Sequence, residues 1–421
     1  MTKKIILVGI IFILFSGIAT ATVLFLFPYE PGQPPQADDT ESTEQGMQEV
    51  VNANNEFAFD LYSELNKNEK GNIFYSPYSI SGALAMTYEG AKAQTADEIK
   101  SVFHFPESNI LRPNFAGIYN DINKENKDYE LKTGNALWVQ KDFPLLEDYM
   151  TRVEKYYGGK AATLDFVKET EESRLTINRF IEEQTKDKIK NLIPIGSVGA
   201  STRLVLTNAI YFQGIWEWEF DKSDTFEEGF IITPDNVVKT PMMHMSPEKT
   251  KFNYAETEDL QILELPYKGE KISMLILLPN ENLETIESSL TEEKLDEYKL
   301  QMEETKLDSI SLPRFEFDTK YFMKNTLATL GMPIAFSGNA DFSGMTGKKD
   351  LFISQVIHQA YVGVDEKGTE AAAATAVIIP PSNLAIMPTN IFKADHPFMF
   401  VIQEKDTGNI LFLGRVVDPT K

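Results

Sequence analysis

Histidines are the residues of this sequence best suited to general acid–base chemistry near neutral pH. There are four of them, His104, His244, His358 and His396. Each stands alone in an apolar or turn context, and single histidines in such contexts are usually structural. The chain contains no Gly-x-Ser-x-Gly elbow, His-Glu-x-x-His motif, phosphate loop or dinucleotide fingerprint. The sequence therefore predicts no catalytic residue, no metal site and no cofactor, and the chain is not expected to be an enzyme.

Charge and cysteine content narrow the range of partners. The chain has 40 basic and 63 acidic side chains, and the resulting net charge of -23 would repel a phosphate backbone. Nucleic acid is therefore not expected as a partner. Because the chain has no cysteine, it can form no disulfide, thiolate nucleophile or cysteine-based zinc site. Its stability must come from the packing of a core, which 421 residues can readily bury.

Residues 1–28 are typical of a targeting segment. Lys3 and Lys4 precede an apolar run over residues 5–27. At about 1.5 Å per residue in a helix, this run could cross a hydrocarbon core about 30 Å thick. Small residues at 19–21 could instead form a signal-peptide cleavage site. The segment is thus predicted to be a cleaved signal peptide or an uncleaved anchor in the membrane. Either form predicts export to the extracellular space or to the outer face of the cell membrane.

A tether and one domain are predicted after the targeting segment. Residues 29–48 are rich in proline and acidic side chains and carry too little apolar surface to fold, so we expect them to be disordered. Residues 49–421 contain no Pro/Gly/Ser-rich linker, charge block or internal repeat. We therefore expect this part of the chain to form a single domain.

The predicted elements of this domain mix helices and strands. Helices are indicated by the spacing of Phe57, Leu61 and Leu65, by the cap and first turn at Ser76-Pro77, and by a capping box over Thr95–Glu98. Strands are indicated by the apolar run Ile272–Leu278 and by a hairpin that pairs Phe398–Ile402 with Ile410–Leu413. The irregular alternation of these elements predicts an α+β fold with several sheets.

Local preferences conflict in residues 363–381. The four alanines of residues 371–374 favour a helix, whereas the Val-Ile-Ile run of residues 377–379 favours a strand and Pro380-Pro381 forces an extended end. In a strand, one uncharged face would carry Thr369, Ala371, Ala373, Thr375, Val377 and Ile379. Small residues lead this face and would let it enter a sheet without displacing neighbours. The segment is therefore predicted to have two conformations, an exposed loop and a central strand.

Several motifs of residues 50–421 are similar, in the same order, to motifs of the serpin family of protease inhibitors. They are Asn72–Ile80, Leu206–Trp216, Asp341–Met345, Leu351–Val364, Asp395–Phe398 and Phe412–Val416. The segment 363–381 resembles the hinge and the reactive-centre loop of that family. Because these motifs agree independently, the chain is identified as a member of the serpin family, of the inhibitory type.

This resemblance implies an α+β fold of three β-sheets, with a five-stranded central sheet A, about eight or nine helices and an exposed reactive-centre loop over about residues 366–392. It also implies a suicide-substrate inhibitor of serine-type endopeptidases, whose cleaved loop inserts into sheet A and traps the acyl-enzyme. The alternative is a non-inhibitory serpin that acts as a binding or chaperone-like protein. The small hinge residues favour inhibition, because non-inhibitory members tend to have bulky or charged residues there. We expect a monomer.

The resemblance also assigns residues to three sites. The hinge comprises Glu366, Gly368, Thr369, Glu370, Ala371, Ala372, Ala373 and Ala374. The shutter, which holds the central strands together until insertion, comprises Ser76, Ser79, Asn208 and His358. The breach at the end of sheet A comprises Trp216 and an ion pair between Arg314 and Glu366. A partly exposed ion pair of this kind would contribute only about 0–1 kcal/mol.

Counting from Gly368 as the family does places the reactive bond between Ser382 and Asn383. The following segment is longer than in the family, so the bonds Leu384-Ala385 and Ile386-Met387 are alternatives. Small Ser382 would suit an elastase-like or subtilisin-like serine protease, and Leu384 a chymotrypsin-like or subtilisin-like one. A trypsin-like target is not expected, because residues 368–392 contain no Lys or Arg.

Overall fold

The computed structural model describes residues 36–124, 128–247, 250–369 and 390–421. These residues form ten α-helices, two short 3-10 helices and eighteen strands. The helices are α1 (Glu44–Asn66), α2 (Pro77–Tyr88), α3 (Ala93–Val102), α4 (Ser108–Ile122), α5 (Glu147–Tyr157), α6 (Thr170–Gln184), α7 (Leu283–Glu287), α8 (Glu292–Lys299), α9 (Lys324–Leu330) and α10 (Ser343–Thr346), with 3-10 turns at Lys222–Asp224 and Ile334–Phe336. The α+β prediction is confirmed, and the described α-helices number ten instead of eight or nine.

The strands belong to three sheets. In chain order they are β1 (Ile73–Tyr75), β2 (Tyr129–Thr133), β3 (Ala136–Gln140), β4 (Lys160–Leu164), β5 (Leu204–Ile215), β6 (Thr225–Thr233), β7 (Asn236–Met245), β8 (Phe252–Glu256), β9 (Leu260–Pro266), β10 (Ile272–Pro279), β11 (Glu303–Thr305), β12 (Ser309–Pro313), β13 (Phe315–Phe322), β14 (Ile353–Asp365), β15 (Gly368–Thr369), β16 (Ile391–Lys393), β17 (Phe398–Glu404) and β18 (Ile410–Val416).

Sheet A has the order β13-β14-β15-β5-β3-β4, and β2 also pairs with β5. It therefore has seven strands where five were expected, for two reasons. First, the strand beside β5 is interrupted at Gly134-Asn135, which separates β2 from β3 although both pair with β5. Second, two hinge residues form the short strand β15 between β14 and β5.

Sheet B has the order β1-β18-β17-β10-β9-β8-β11, and sheet C has the order β16-β12-β7-β6. The predicted C-terminal hairpin is confirmed, since Val401 pairs with Leu413 in the antiparallel ladder of β17 and β18. Strand β10 is buried along its whole length, as its continuous apolar run predicts. Helix α2 packs against both β5 and β18, so nearly all of its residues are buried. The core thus extends from sheet A through α2 to sheet B.

Local capping signals were only partly reliable. Helix α2 begins as predicted, with Pro77 in its first turn and the Ser76 hydroxyl accepting the Ser79 N–H at 3.1 Å. The capping box at Thr95–Glu98 is wrong, because α3 begins at Ala93. Thr95 lies inside α3, and its hydroxyl accepts the Asp341 N–H at 2.9 Å. This side chain therefore serves a long-range contact instead of a helix cap.

The folded part of the chain begins before the predicted boundary at residue 49. Helix α1 begins at Glu44, and the Thr43 hydroxyl caps it by accepting the Gly46 N–H at 3.0 Å. Ala37 is buried, and its N–H donates to the Asn120 side chain at 2.9 Å. The composition of residues 29–48 does not predict this order, because the contact that holds Ala37 comes from Asn120, far away in the sequence.

Residues 1–35 lie outside the described part of the chain, and so does the predicted targeting segment. Within the described ranges, no helix combines the length and the apolar character that a membrane crossing requires.

His104 connects α1 to the end of α3. Its Nδ1 lies 2.9 Å from Glu56 Oε2 and its Nε2 lies 2.8 Å from Asp60 Oδ2. Because both ring nitrogens face carboxylates, the doubly protonated ring satisfies both contacts. The hydrogen bond to Asp60, aided by the charges of Glu56 and Glu292, raises the pKa of His104 above 6.5 although partial burial opposes the shift.

We expect His104→Gln to change the pH dependence of stability above neutral pH. A raised histidine pKa gives stabilisation that is complete below pH 6.5 and is lost as the pH rises through the folded-state pKa. The wild type should exceed the variant in unfolding free energy by about 0.5 kcal/mol at pH 6.0, after allowance for solvent exposure, and the difference should shrink by pH 9.0. Urea unfolding at both pH values measures this, and a difference that does not vary with pH would contradict it.

Candidate functional site

Sheet A contains a seam between two long strands, β14 and β5. They pair in parallel from Ile353 opposite Leu204 to Tyr361 opposite Tyr211. At the far end of β5 the strands are separated by β15, in which Thr369 pairs with Val364 on one side and Gly214 on the other. The two strands β14 and β5 therefore pair directly over most of the seam. At one end the hinge residues of β15 lie between them.

Gly368 allows the hinge to approach β5 closely. A Cβ atom at this position would lie 1.9 Å from the Gly214 carbonyl oxygen, which is part of the backbone and cannot move aside cheaply. Only glycine fits a contact of this kind. The predicted hinge residue Gly368 is thus required by the sheet geometry itself.

The four predicted shutter residues lie together on the seam. His358 of β14 is directly opposite Asn208 of β5, and its Nδ1–H donates to the Asn208 side-chain oxygen. The Ser76 N–H donates to His358 Nε2 at 3.1 Å. The Asn208 amide donates to Ser79 Oγ at 2.6 Å. Side-chain hydrogen bonds therefore connect both strands of the seam to the start of α2.

A fifth residue, Asn135, completes this group and was missed in the sequence. Its Oδ1 accepts from Asn208 at 2.6 Å and from the Ser79 hydroxyl at 2.9 Å. Asn135 occupies the interruption between β2 and β3 and belongs to neither strand. No local pattern marks an asparagine for such a role, and only the fold brings it to the seam. We refer to Ser76, Ser79, Asn135, Asn208 and His358 as the shutter cluster.

Burial keeps His358 neutral. The residue is fully buried, and burial lowers the pKa of His358 to about 3. The hydrogen bond from Ser76 is consistent with a neutral ring, because its backbone N–H requires the lone pair of His358 Nε2. A second ring proton would point at that N–H donor. The two strands are therefore joined by an uncharged contact over the physiological pH range.

The predicted breach residues surround the hinge. Trp216 is buried, and its indole N–H donates to the Asp365 carbonyl at 3.0 Å. Its ring stacks on Tyr267 at a centroid distance of 4.5 Å. The Tyr267 hydroxyl in turn contacts Thr369 Oγ1 at 2.5 Å. Tyr267, which the sequence did not single out, thus connects the breach tryptophan to the last described hinge residue.

The Arg314–Glu366 ion pair is present and is more buried than expected. The Arg314 guanidinium donates to the Glu366 carboxylate, and the exposed side-chain fractions are 21% and 1% respectively. Burial alone would raise the pKa of Glu366, but its own backbone N–H, the Thr225 hydroxyl and Arg314 together hold that pKa below its usual value. The carboxylate is therefore charged and depends on these partners.

Asp365 fixes the turn between β14 and β15 and was also missed. Its carboxylate accepts the backbone N–H groups of Lys367 at 2.8 Å and Gly368 at 3.3 Å. The backbone N–H of Trp216 donates to the Lys367 carbonyl, and that of Phe220 donates to the Glu366 carbonyl, both at 2.8 Å. The turn is therefore held by hydrogen bonds to the Asp365 side chain within it and by hydrogen bonds from the backbone of Trp216 and Phe220.

The two remaining histidines, His244 and His396, each have protein partners near both ring nitrogens. His244 lies between Ser311, at 2.8 Å from Nδ1, and Glu228, at 3.3 Å from Nε2. This arrangement resembles a hydrolytic triad, but Ser311 is only 3% exposed and its hydroxyl cannot reach a substrate. His396 contacts the Pro279 carbonyl and Asp395. Across the described ranges, no group of His, Asp or Glu side chains is arranged to hold a metal ion.

Comparison with known proteins identifies the family. The family profile described as Serpin (serine protease inhibitor) matches residues 52–419. The chain belongs to the serpin family. Human Serpin B3 is 43% identical over 398 residues, which cover 89% of this chain and 100% of the relative. Leukocyte elastase inhibitor A of Rattus norvegicus is 40% identical over 384 residues, with coverage of 89% and 100%. The family thus includes inhibitors of elastase.

Solved structures agree on the serpin fold. Uncleaved ovalbumin has a TM-score of 0.78 and 33% identity, with 88% of this chain and 100% of that chain covered. Human thyroxine-binding globulin in complex with its ligand has a TM-score of 0.79 and 31% identity, with coverage of 89% and 100%. The predicted three-sheet serpin fold is confirmed. The family contains both a protease inhibitor and a ligand-binding protein.

Part of the predicted site lies outside the described residues. This part comprises the remaining hinge residues Glu370, Ala371, Ala372, Ala373 and Ala374 and the reactive-bond candidates Ser382, Asn383, Leu384, Ala385, Ile386 and Met387. The described hinge therefore ends at Thr369.

We expect His358→Gln to remove an acid-dependent loss of stability. An unfolded histidine titrates near pH 6.5, whereas His358 in the fold stays neutral to about pH 3. Unfolding therefore takes up a proton at His358 below pH 6.5, and this residue alone should lower the unfolding free energy of the wild type by about 1.4 kcal/mol between pH 7.5 and pH 5.5. The variant should lose correspondingly less in urea unfolding. His104→Gln is the control and should keep the acid loss. Equal losses in wild type and His358→Gln would refute this assignment.

We expect Glu366→Lys to favour polymers. The substitution places a second cation beside Arg314 in a buried position, which costs about 3 kcal/mol, the lower end of the range for breaking buried pairs. The hinge turn should open and expose the unpaired edges of β14 and β5 to other chains. Size-exclusion chromatography after mild heating should show loss of monomer. Glu227→Lys makes the same charge change at an exposed position of β6 and should stay monomeric. A stable monomer in both variants would contradict the prediction.

Proposed function

We propose that this serpin is a suicide-substrate inhibitor of serine-type endopeptidases. In this mechanism the protease serine attacks the carbonyl of the reactive bond, the peptide C–N bond breaks, and the new amine leaves as the acyl-enzyme forms. The cleaved loop then inserts between β14 and β5 and carries the attached protease away. The observation that carries the proposal is β15, since Gly368 and Thr369 already occupy a strand position in the seam.

The register of β15 predicts where each loop residue would lie after insertion. Both ladders of β15 are antiparallel, so each further pair of loop residues moves two residues back along β5 and along β14. The expected neighbours are Phe212 and Val362 for Ala371, Ile210 and Ala360 for Ala373, and Asn208 and His358 for Thr375. These neighbours are all fully or almost fully buried. Small alanines suit the first two positions because they need little new space.

Insertion would exchange one set of strand contacts for two. The parallel β14–β5 pairing would be replaced by antiparallel pairing of the loop with each strand, and antiparallel pairing is slightly more stable per residue. The gain in hydrogen bonds and buried surface supplies the driving force. The inhibitory state is therefore held kinetically and not by equilibrium.

The shutter cluster would act as the barrier to insertion. The hydrogen bond between His358 and Asn208 crosses the seam and must break before a strand can enter. In the inserted register, Thr375 would lie between these two side chains and could offer its hydroxyl to both. The His358 and Asn208 side chains would then have hydrogen-bond partners both before and after insertion. The free-energy cost of separating them would therefore fall on the transition state of insertion and not on the inserted state.

The alternative function is that of a non-inhibitory serpin that binds a ligand, as thyroxine-binding globulin does with thyroxine. A ligand-binding serpin thus shares the fold of this chain, so the fold by itself does not separate the two functions. The small, uncharged face of Thr369, Ala371, Ala373 and Thr375 supports inhibition. We further propose elastase-, chymotrypsin- or subtilisin-like targets, cleavage at Ser382-Asn383 and a monomeric inhibitor. Export by the segment 1–28 and its attachment to the membrane remain predictions.

The full chain should form a denaturant-resistant adduct with elastase, chymotrypsin or subtilisin. Denaturation should free a C-terminal peptide that begins at Asn383, or at Ala385 or Met387 if an alternative bond is cleaved. Gel electrophoresis and sequencing of the peptide measure both. Cleavage at full turnover without any adduct would exclude the inhibitory mechanism and favour the ligand-binding alternative.

Ala373→Arg is the variant that tests insertion, and Ala373→Ser is its matched control. On insertion, the arginine side chain would have to be buried between Ile210 and Ala360. The rate of insertion should therefore fall by at least about tenfold, which corresponds to an activation free energy higher by about 1.4 kcal/mol. The protease should then escape by hydrolysis of the acyl-enzyme, with the loop cleaved. The serine variant should retain most of the adduct. Equal adduct yields for arginine and serine would contradict the proposed register.

A further inference from the structure

Tyr267 directly follows β9 and is fully buried at the hinge end of the seam. Its backbone forms an isolated antiparallel bridge with Trp216, the residue that follows β5. Its ring stacks on Trp216 at a centroid distance of 4.5 Å and meets Phe212 edge-on at 5.0 Å. Neighbours on two sides therefore fix the position of the Tyr267 ring.

Gly214 of β5 leaves the space that this ring occupies. A Cβ atom at Gly214 would lie 2.6 Å from Tyr267 Cδ1 and 2.8 Å from Phe212 Cζ, so any other residue would overlap both rings. Gly214 is also the residue of β5 that pairs with Thr369 of the hinge. The missing side chain thus lets the Tyr267 ring lie against β5 at the position where the hinge pairs with that strand.

The position of the ring brings its hydroxyl to the hinge. Tyr267 Oη lies 2.5 Å from Thr369 Oγ1, and the exposed fractions of the two residues are 0% and 2%. Burial raises the pKa of Tyr267, so its hydroxyl keeps the proton and either hydroxyl can donate. Among the described residues, Thr369 is the hydrogen-bond partner of this hydroxyl. The contact therefore satisfies a polar group that is wholly shielded from water.

This hydrogen bond opposes withdrawal of the hinge from the seam. If Thr369 moved out, the Tyr267 hydroxyl would stay in the core without its partner, and a buried hydroxyl without a partner is disfavoured. Strand β15 consists of Gly368 and Thr369, and glycine has no side chain. Thr369 is therefore the residue of β15 through which a side chain can hold the strand in place.

We propose that the Tyr267 hydroxyl is a positioning group, which holds β15 in the seam and so keeps the hinge at the point where insertion begins. Residue 369 must then carry a hydroxyl, a requirement that small size alone does not impose. In the proposed register Thr369 keeps Gly214 and Val364 as neighbours throughout insertion, so the hydrogen bond need not break as later residues enter. The role of this contact in inhibition rests on the proposed function.

Amide hydrogen exchange of the peptide that contains residues 366–369 tests this contact in the full chain. Tyr267→Phe removes one hydroxyl and leaves the buried Thr369 oxygen without this partner. The hinge should therefore open more often, and its amides should exchange about fivefold faster, which is the effect of one typical hydrogen bond. Tyr149→Phe is the control, because the Tyr149 hydroxyl is also buried but donates to the Met86 carbonyl at 3.0 Å, outside the breach. Its hinge exchange should match that of the wild type.

A second substitution separates the hydrogen bond from the packing of the ring. Tyr267→Phe combined with Thr369→Val makes both groups apolar at nearly the same shape, so hinge exchange should return towards the wild-type rate. If Tyr267 acted only through its ring, Thr369→Val would restore nothing. Equal exchange in the wild type and Tyr267→Phe would overturn the proposal, and so would a double variant that exchanges as fast as Tyr267→Phe. The measurement uses no protease, so its outcome is independent of whether the chain inhibits one.

Discussion

The contact between β14 and β5 is the constraint on which the rest of the structure depends. Two central strands of one sheet pair in parallel, although the hinge has already separated them at one end. A buried, neutral histidine and the asparagine opposite it hold the closed part together. Both side chains are anchored to α2, so the state of the seam is coupled to the helix that joins sheet A to sheet B.

The C-terminal part of the chain shows how this fold is held together without cysteine. Strands β17 and β18 lie inside sheet B, although they follow the loop in sequence. Arg415 of β18 is buried against Glu287 and donates to the carbonyls of Gly71 and Glu69. Hydrogen bonds between distant segments therefore replace disulfides. A chain cut in the loop would keep its C-terminal peptide in place until it is denatured.

The described part of the hinge shows how the fold sets the conformation of the two residues that precede the segment with conflicting local preferences. Alanines favour a helix after Thr369, but the ladders on both sides of β15 give Gly368 and Thr369 a strand conformation. The turn before them is fixed by Asp365 and by the breach. Up to Thr369, where the described hinge ends, Gly368 and Thr369 occupy a strand position, and the proposed register of insertion follows from these two residues.

The sequence by itself determined the features whose hydrogen bonds are local or whose motifs are shared with a family. It predicted the start of α2 at Ser76-Pro77, the C-terminal hairpin, and the meeting of Ser76, Ser79, Asn208 and His358. Tertiary structure alone decided the roles of Asn135, Tyr267 and Asp365, the use of Thr95 in a contact with Asp341, and the early start of the fold at Ala37. The physical reason is that a polar side chain can hydrogen-bond to any suitable group that lies close to it in space. Which group that is, among those far away in the sequence, is decided only when the core packs.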